Sequence, residues 1–304
     1  MRYFILVLSN RLLLTAVAPM VWGTTYLVTS EFLPPDRPLL AAVVRALPAG
    51  LLLIALTRRL PSGDWWWRAL VLGTLNIGAF LFLLFVAAYR LPGGVAATVG
   101  AIQPVLVGAL SAGLLGERLR TRTVVAGAAG VAGVSLLVLR ADARLDTVGV
   151  LAAVGGAIVM ALGVVLAKRW RSPAPVLATT GWQLTAGGLV LVPALFLVEG
   201  LPSAVTGVNV AGYAYLSLIG AALTYSLWFR GIGAMSPVRV TFLSLLSPLV
   251  ATLLGWLVLG QGLTAPQVLG ALLVLAAVIA PQLVKEKKPC ASPSSVPLVP
   301  SVAK

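Results

Sequence analysis

The 304-residue chain contains no histidine and a single cysteine, Cys290. Those gaps exclude a disulfide framework and Cys/His metal sites within the chain. No metal and no cofactor is expected. Charge is scarce too: Asp, Glu, Lys and Arg make up 10% of residues, against about a quarter in a soluble domain. Acids are the scarcest, eight in all. With no histidine, HExxH zinc chemistry and a Ser-His-Asp triad are ruled out. No aspartate falls in an expected span, which argues against an aspartyl intramembrane protease. No catalytic residue emerges, and an enzyme is not expected.

What fills the chain is apolar. Hydrophobic residues are 60% and mean hydropathy is +1.03. Such a chain cannot cover a water-facing surface, so composition points to a multi-span membrane protein. "AVA" at 16–18 resembles a leader cleavage site, but Pro19 follows directly and the apolar run continues to Val28. This reads as an uncleaved first span.

Apolar runs long enough to cross a bilayer fall near 12–30, 38–57, 67–89, 93–115, 122–139, 147–167, 174–198, 208–230, 237–259 and 264–283. Turn and charge signals separate them. Connections are short, and "KEKKPCASPSSVPLVPSVAK" after Val284 reads as a disordered cytoplasmic tail, 285–304. With the N-terminus inside, 17 of the 22 lysines and arginines fall on inner segments. Arg37, Arg90, Arg140 and Arg144 fall outside, and Arg45 lies within a span. That split predicts both termini in the cytoplasm. It also accounts for the net charge of +14 without nucleic acid. The expected partners are a small-molecule substrate and the lipid bilayer, with a homodimer as a further candidate.

"QPVLVGALSAGLLGERL" at 103–119 returns as "SPLVATLLGWLVLGQGL" at 247–263. At an offset of 144, Pro104 matches Pro248, Gly116 matches Gly260, and Leu119 matches Leu263. "LGTLNIGAFLFLLF" at 72–85 lies over "LSLIGAALTYSLWF" at 216–229. Near an offset of 138, "RALPAGLLLI" at 45–54 lies over "QLTAGGLVLV" at 183–192. The expected fold is all-α: ten transmembrane helices as two five-helix repeats, 1–141 and 142–284. Five is odd, so the second repeat enters the membrane inverted. The turn "GERLRTR" then lies inside and "GQGLTAP" outside, and the charge follows. Inverted repeats are characteristic of secondary transporters.

The repeated proline-bearing helix, followed by "LGERL" or "LGQGL" and a glycine-containing helix, resembles the EamA family of the drug/metabolite transporter superfamily. "APMVWGTTYLVT" at 18–29 resembles the family's first helix and "VVRALPAGLLL" at 43–53 its second. The resemblance spans about 12–283. It implies a ten-helix metabolite transporter, commonly an exporter, in a family that includes exporters of amino acids and related metabolites. The first half looks closest to a branch with pigment and amino-acid exporters. Gln261 stands where many members carry a second Glu, whereas Glu117 keeps it in the first copy.

A central cavity calls for polar and aromatic residues at helical spacing. The candidates are Trp22, Thr25, Tyr26, Asn76, Phe80, Gln103, Trp182, Gln183, Thr224, Tyr225, Trp228 and Ser244. The eighth span stands out: Thr224, Tyr225 and Trp228 have Phe80, Leu81 and Leu84 as repeat mates. The fold itself therefore does not require Tyr or Trp there. An aromatic pocket with hydroxyls suits an amphipathic solute, and aromatic faces attract an ammonium group. On this reading Tyr225→Ala and Trp228→Ala lower transport and leave folding largely intact. The alternative for these residues is helix packing.

Glu31 and Arg45 are candidates for charge coupling. Glu31 could equally be an interfacial acid, and Arg45 a packing or snorkelling residue. Pro104 and Pro248 are the expected gating hinges. Trp65, Trp66, Trp67 and Trp170 are expected as inner interfacial anchors, and Tyr213 and Tyr215 as outer ones. The expected activity is export of small amphipathic metabolites, neutral or aromatic amino acids, by alternating access. A proton-coupled drug exporter and a non-transporting scaffold remain the alternatives.

Overall fold

A chain this apolar has few ways to satisfy its backbone in lipid, and closing every hydrogen bond within a helix is one of them. The computed structural model describes residues 2–35, 37–91, 93–138, 146–260 and 262–283, and the regular elements among them are helices. Ten are long and apolar enough to cross a membrane. They are α1 Arg11–Thr29, α2 Pro38–Thr57, α3 Trp65–Ala87, α4 Ala97–Leu115, α5 Thr121–Val138, α6 Thr147–Arg169, α7 Val176–Glu199, α8 Gly207–Ala234, α9 Pro237–Val258 and α10 Ala265–Leu283. The shortest, of 18 residues, is about 27 Å long at 1.5 Å per residue. That is close to the thickness of a bilayer's hydrocarbon core.

The irregularities recur at the sequence offset. α3 carries a π-helical segment at Thr74–Ala79 and α8 one at Leu218–Leu223, 144 residues later. α4 is interrupted at residues 101–102 and α9 at 244–245. Pro104 and Pro248 follow in the first turn of the resumed helix, where a missing N–H breaks no intrahelical bond. Both helices end on a left-handed glycine, Gly116 at φ 68° and Gly260 at φ 65°, a conformation that costs glycine nothing.

The packing is reciprocal between halves. α2 lies along α7, and α5 along α10. α3 packs on α7 and α8 on α2; α6 packs on α3 and α1 on α8. α4 packs on α6 and α9 on α1. Each half therefore sets its first span against the third and fourth spans of the other. Successive spans reverse direction, so mates five spans apart are antiparallel. The fold is two inverted five-helix repeats, exchanged about a pseudo-twofold. Its axis shows in the α2–α7 contact. Gly50 faces Leu184 and Thr185, and Gly188 faces Leu47. At the 138 offset, Leu47 and Thr185 are mates, as are Gly50 and Gly188.

Three aromatic residues depart from the interfacial expectation. Trp66 and Trp67 are exposed, but Trp65 is buried with Ala69, Leu72, Ala178 and Trp182. Successive helical positions differ by about 100°, which turns Trp65 toward α7. Tyr213 is buried. Tyr215 shares a 2.8 Å hydrogen bond with Thr24 Oγ1 of α1, so it ties two helices together. The assigned tail, 285–304, and the loop residues Arg140, Asp142 and Arg144 lie outside the described residues.

Candidate functional site

Gly220 is the fourteenth residue of the 28-residue α8 and lies inside its π-helical segment. Its carbonyl oxygen collects side-chain donors from three helices. Arg45 Nη2 of α2 donates at 2.9 Å. Trp22 Nε1 of α1 donates at 3.2 Å and also to Thr224 Oγ1 at 2.9 Å. Thr224 Oγ1 donates back at 2.7 Å. Arg45 Nη1 reaches Thr25 Oγ1 at 3.5 Å. Arg45 is 4% exposed, so its guanidinium is held at mid-span rather than directed to an interface. The snorkelling alternative is not what the structure contains.

Aromatic rings wall this polar centre. Trp22 lies 5.2 Å, centroid to centroid, from both Tyr225 and Trp228, with tilted planes. Tyr225 stacks on Phe229 at 5.9 Å. Tyr225 and Trp228 are fully buried. Trp228 Nε1 is buried with no acceptor among the described residues, a state that costs about 1–3 kcal/mol unless something else meets it. α8 places Thr224, Tyr225 and Trp228 on one face because i, i+1 and i+4 span less than half a turn in projection.

The other half holds the mate of this centre in different chemistry. Asn76, 144 residues before Gly220, lies in the α3 π segment and donates through Nδ2 to Gln183 Oε1 of α7 at 2.9 Å. Gln183 is the mate of Arg45 at the 138 offset, and its Nε2 donates to Thr179 O at 3.4 Å. One half joins its spans with guanidinium and carbonyl, the other with two amides. Asn76 Oδ1 and Gln103 Nε2 are buried with no hydrogen-bond partner among the described residues.

The structure thus brings Trp22, Thr25, Arg45, Thr224, Tyr225 and Trp228 together, and joins Asn76 to Gln183 as a second pair. Trp182 goes elsewhere: it donates to Arg59 O at 2.7 Å and packs 6.2 Å from Trp65. Phe80 is half-buried against the main core. Gln103 is buried beside Pro104 at the resumed helix of α4. Ser244 Oγ donates to Thr241 O at the α9 break. Glu31 is exposed at the end of α1. The side chain of Tyr26, and Gln261, lie outside the described residues. Gly220 and Phe229 were not legible as site residues; the one signal was glycine replacing Asn76 at the repeat offset.

Three acids are occupied in helix ends and surface pairs. Glu199 accepts from Leu39 N and Leu40 N. Asp146 caps α6 through Gly149 N and lies 3.7 Å from Arg90. Asp64 pairs with Arg68 at 3.0 Å. A cleft lined by Arg11, Thr15, Arg230 and Gly231 runs between the ends of α1 and α8.

Comparison with known proteins identifies the family and the fold. The chain is 51% identical over 264 residues to Protein PecM of Dickeya dadantii (strain 3937), covering 86% of this chain and 89% of that protein. It is 30% identical over 273 residues to the uncharacterized transporter YvbV of Bacillus subtilis (strain 168), covering 88% and 89%. It is 28% identical over 240 residues to the uncharacterized inner membrane transporter YedA of Escherichia coli (strain K12), covering 77% and 78%. A protein of known crystal structure, 23% identical, superposes with a TM-score of 0.77 over 90% of this chain and 96% of that one, which establishes the fold. The profile of the EamA-like transporter family matches residues 10–139 and again 147–280. A multi-span chain built from two such units, with a polar and aromatic centre at mid-span, belongs to the EamA-like transporter family.

Proposed function

We propose that the protein exports small amphipathic metabolites, neutral or aromatic amino acids among them, across the inner membrane by alternating access. The observation that carries this reading is the mid-span centre of Trp22, Arg45, Thr224, Tyr225 and Trp228. It combines apolar ring faces with hydrogen-bond donors, the makeup of a site for a solute with one apolar and one polar end. It sits where two exchanged repeats meet, and transporters of inverted-repeat design hold substrate there. The inner-membrane assignment draws support from relatives whose names carry that location. The charge split supports cytoplasmic termini.

The eight acids all lie near span boundaries in the sequence, and three of them serve as caps or surface partners. This favours movement down a product gradient over coupling to a proton carried on a mid-membrane carboxylate. Pro104 and Pro248, at matched helix breaks, are the proposed hinges. The test is purified protein in liposomes preloaded with labelled phenylalanine or leucine, with and without an imposed pH gradient. Efflux above protein-free vesicles, unchanged by the gradient, is expected. Efflux that requires the gradient would replace facilitated export with proton coupling. No flux of any amphipathic solute would remove the transporter reading of this site.

A further inference from the structure

Arg11 and Arg230 flank the cleft between the ends of α1 and α8. Both are exposed, and they come from different helices. Among the described residues no acid lines the cleft with them, and neither guanidinium has a hydrogen bond or an ion pair. Two like charges at one cleft repel each other unless an anion lies between them. The floor is set by glycine. A β-carbon at Gly231 would lie 2.6 Å from Thr15 Oγ1, so the two helices close together one turn past Arg11 and one residue past Arg230. The arginines are left standing at the mouth.

What runs on from the arginines is apolar. On α8, Leu223, Leu227, Arg230 and Ala234 fall within about 60° of one another in helical projection. Leu227 and Ala234 line the cleft, and Leu223 is exposed beyond it. On α1, Leu14 lines the cleft and Val17 is exposed one turn further on. Exposed leucine and valine on a spanning helix suit acyl chains rather than a water-filled path. The seven residues from Arg230 back to Leu223 give about 10 Å of apolar groove. Arg11 opens α1 and Arg230 lies in the last turns of α8, so both stand at headgroup level on the same side of the membrane. The charge split assigns that side to the cytoplasm, where anionic lipids attract basic residues.

We infer that this cleft holds an anionic glycerophospholipid. Arg11 and Arg230 take the phosphodiester between them, a group that guanidinium forks match with paired hydrogen bonds. One acyl chain lies along Leu227 and Leu223, against Leu14 and Val17. A zwitterionic lipid offers the same phosphate but brings a cation of its own, which the two arginines repel. Single interfacial arginines follow from topology alone. Two of them, on neighbouring helices, over one cleft and at the head of an apolar groove, make a headgroup site. The bound lipid ties α1 to α8 eleven residues, about 16 Å, from Trp22. It lies outside the mid-span centre and does not depend on which solute is carried.

The test titrates phosphatidylglycerol and phosphatidylcholine, with the same acyl chains, into the delipidated full-length protein in detergent. Bound lipid is counted by native mass spectrometry. One phosphatidylglycerol should bind at least about tenfold more tightly than phosphatidylcholine, the value of one charge-assisted hydrogen bond. Arg11→Gln and Arg230→Gln should each erase most of that preference and leave phosphatidylcholine unchanged. Arg122→Gln removes an exposed arginine at the start of α5. Charges remote from the cleft are screened, so it should change phosphatidylglycerol binding by less than about twofold. Ala234→Trp keeps both guanidiniums and fills the cleft with a ring. It should weaken phosphatidylglycerol severalfold, and it tests the cleft if an arginine variant does not fold. Equal binding of the two lipids overturns the inference. So does a loss on Arg122→Gln as large as that on Arg11→Gln, which would assign the effect to inner charge at large. Retention of phosphatidylglycerol by Ala234→Trp at the original strength overturns the cleft as its site. Displacement of the lipid by an equal concentration of inorganic phosphate or of deacylated glycerophosphoglycerol would make this a soluble-anion site and overturn the lipid assignment.

Discussion

Glu199 closes the last turn of α7, yet it serves α2. Its carboxylate oxygens accept Leu39 N at 2.7 Å and Leu40 N at 3.0 Å, and Arg37 Nη1 returns a bond to Glu199 O at 2.8 Å. An anion at a helix N-terminus satisfies free N–H groups and meets the positive end of the dipole. Glu199→Gln keeps one acceptor oxygen and loses the charge. It should cost about 1–2 kcal/mol, read as a lower melting temperature of the detergent-solubilised protein, with no change in which solutes are carried. An unchanged melting temperature would mean the cap is idle. Burial also corrects an expectation drawn from the repeat comparison. Leu81 and Leu84 replacing Tyr225 and Trp228 in the first half made alanine variants look structurally harmless. Both rings are fully enclosed, and truncating an enclosed ring to alanine costs several kcal/mol of packing. Tyr225→Ala should therefore lower the melting temperature more than Tyr225→Phe. Equal melting curves for the two would show that the ring packs loosely.

Helices approach one another here through glycine. α5 and α10 meet at Gly133 and Gly270: a β-carbon at Gly270 would lie 2.6 Å from Gly133 O and 2.7 Å from Leu137 N. Between lipid-embedded helices, close contact of this kind is a main source of association. Gly270→Leu should push α10 off α5 and lower thermal stability sharply. Gly113→Ala on α4, where nothing lies within 4 Å, should leave it unchanged or slightly raised. Matching melting temperatures would show that the α5–α10 contact contributes little. At this scale the ten spans were legible, because length and hydropathy are properties of each segment alone. Pro104 and Pro248 stood out in the sequence as hinge candidates, and the breaks at 101–102 and 244–245 lie just before them. The π segments were not. "TLNIGA" and "LIGAAL" contain no proline and read as ordinary helix, so their register answers to neighbouring helices. Residue facing had the same limit. Trp182 and Gln183 are adjacent, so about 100° separates them. One turns to Arg59 and Trp65, the other to Asn76.

Across the whole molecule, each half completes the other. Arg45 and Gln183 come from the second span of each repeat, and each reaches into the third span of the opposite repeat. The mid-span centre therefore exists only when the two repeats interlock. The match of mates was legible in sequence, but the interlock was not, because a repeat offset says nothing of which faces meet. Interlocking requires that the two halves insert with opposite sense. The charge pattern assigns that sense: "GERLRTR" carries three arginines, and its mate "GQGLTAP" carries none. Thr121 opens α5 and Ala265 opens α10, and both are exposed. In a Cys290→Ser background, Thr121→Cys should react with a membrane-impermeant maleimide only from the cytoplasmic side, and Ala265→Cys only from the outside. Intact cells and inverted vesicles give the two directions of access, and total labelling after detergent gives the reference. Labelling of both cysteines from one side would remove the inverted arrangement. Opposite sides in the reverse sense would keep the inversion and overturn only the assignment of the termini to the cytoplasm.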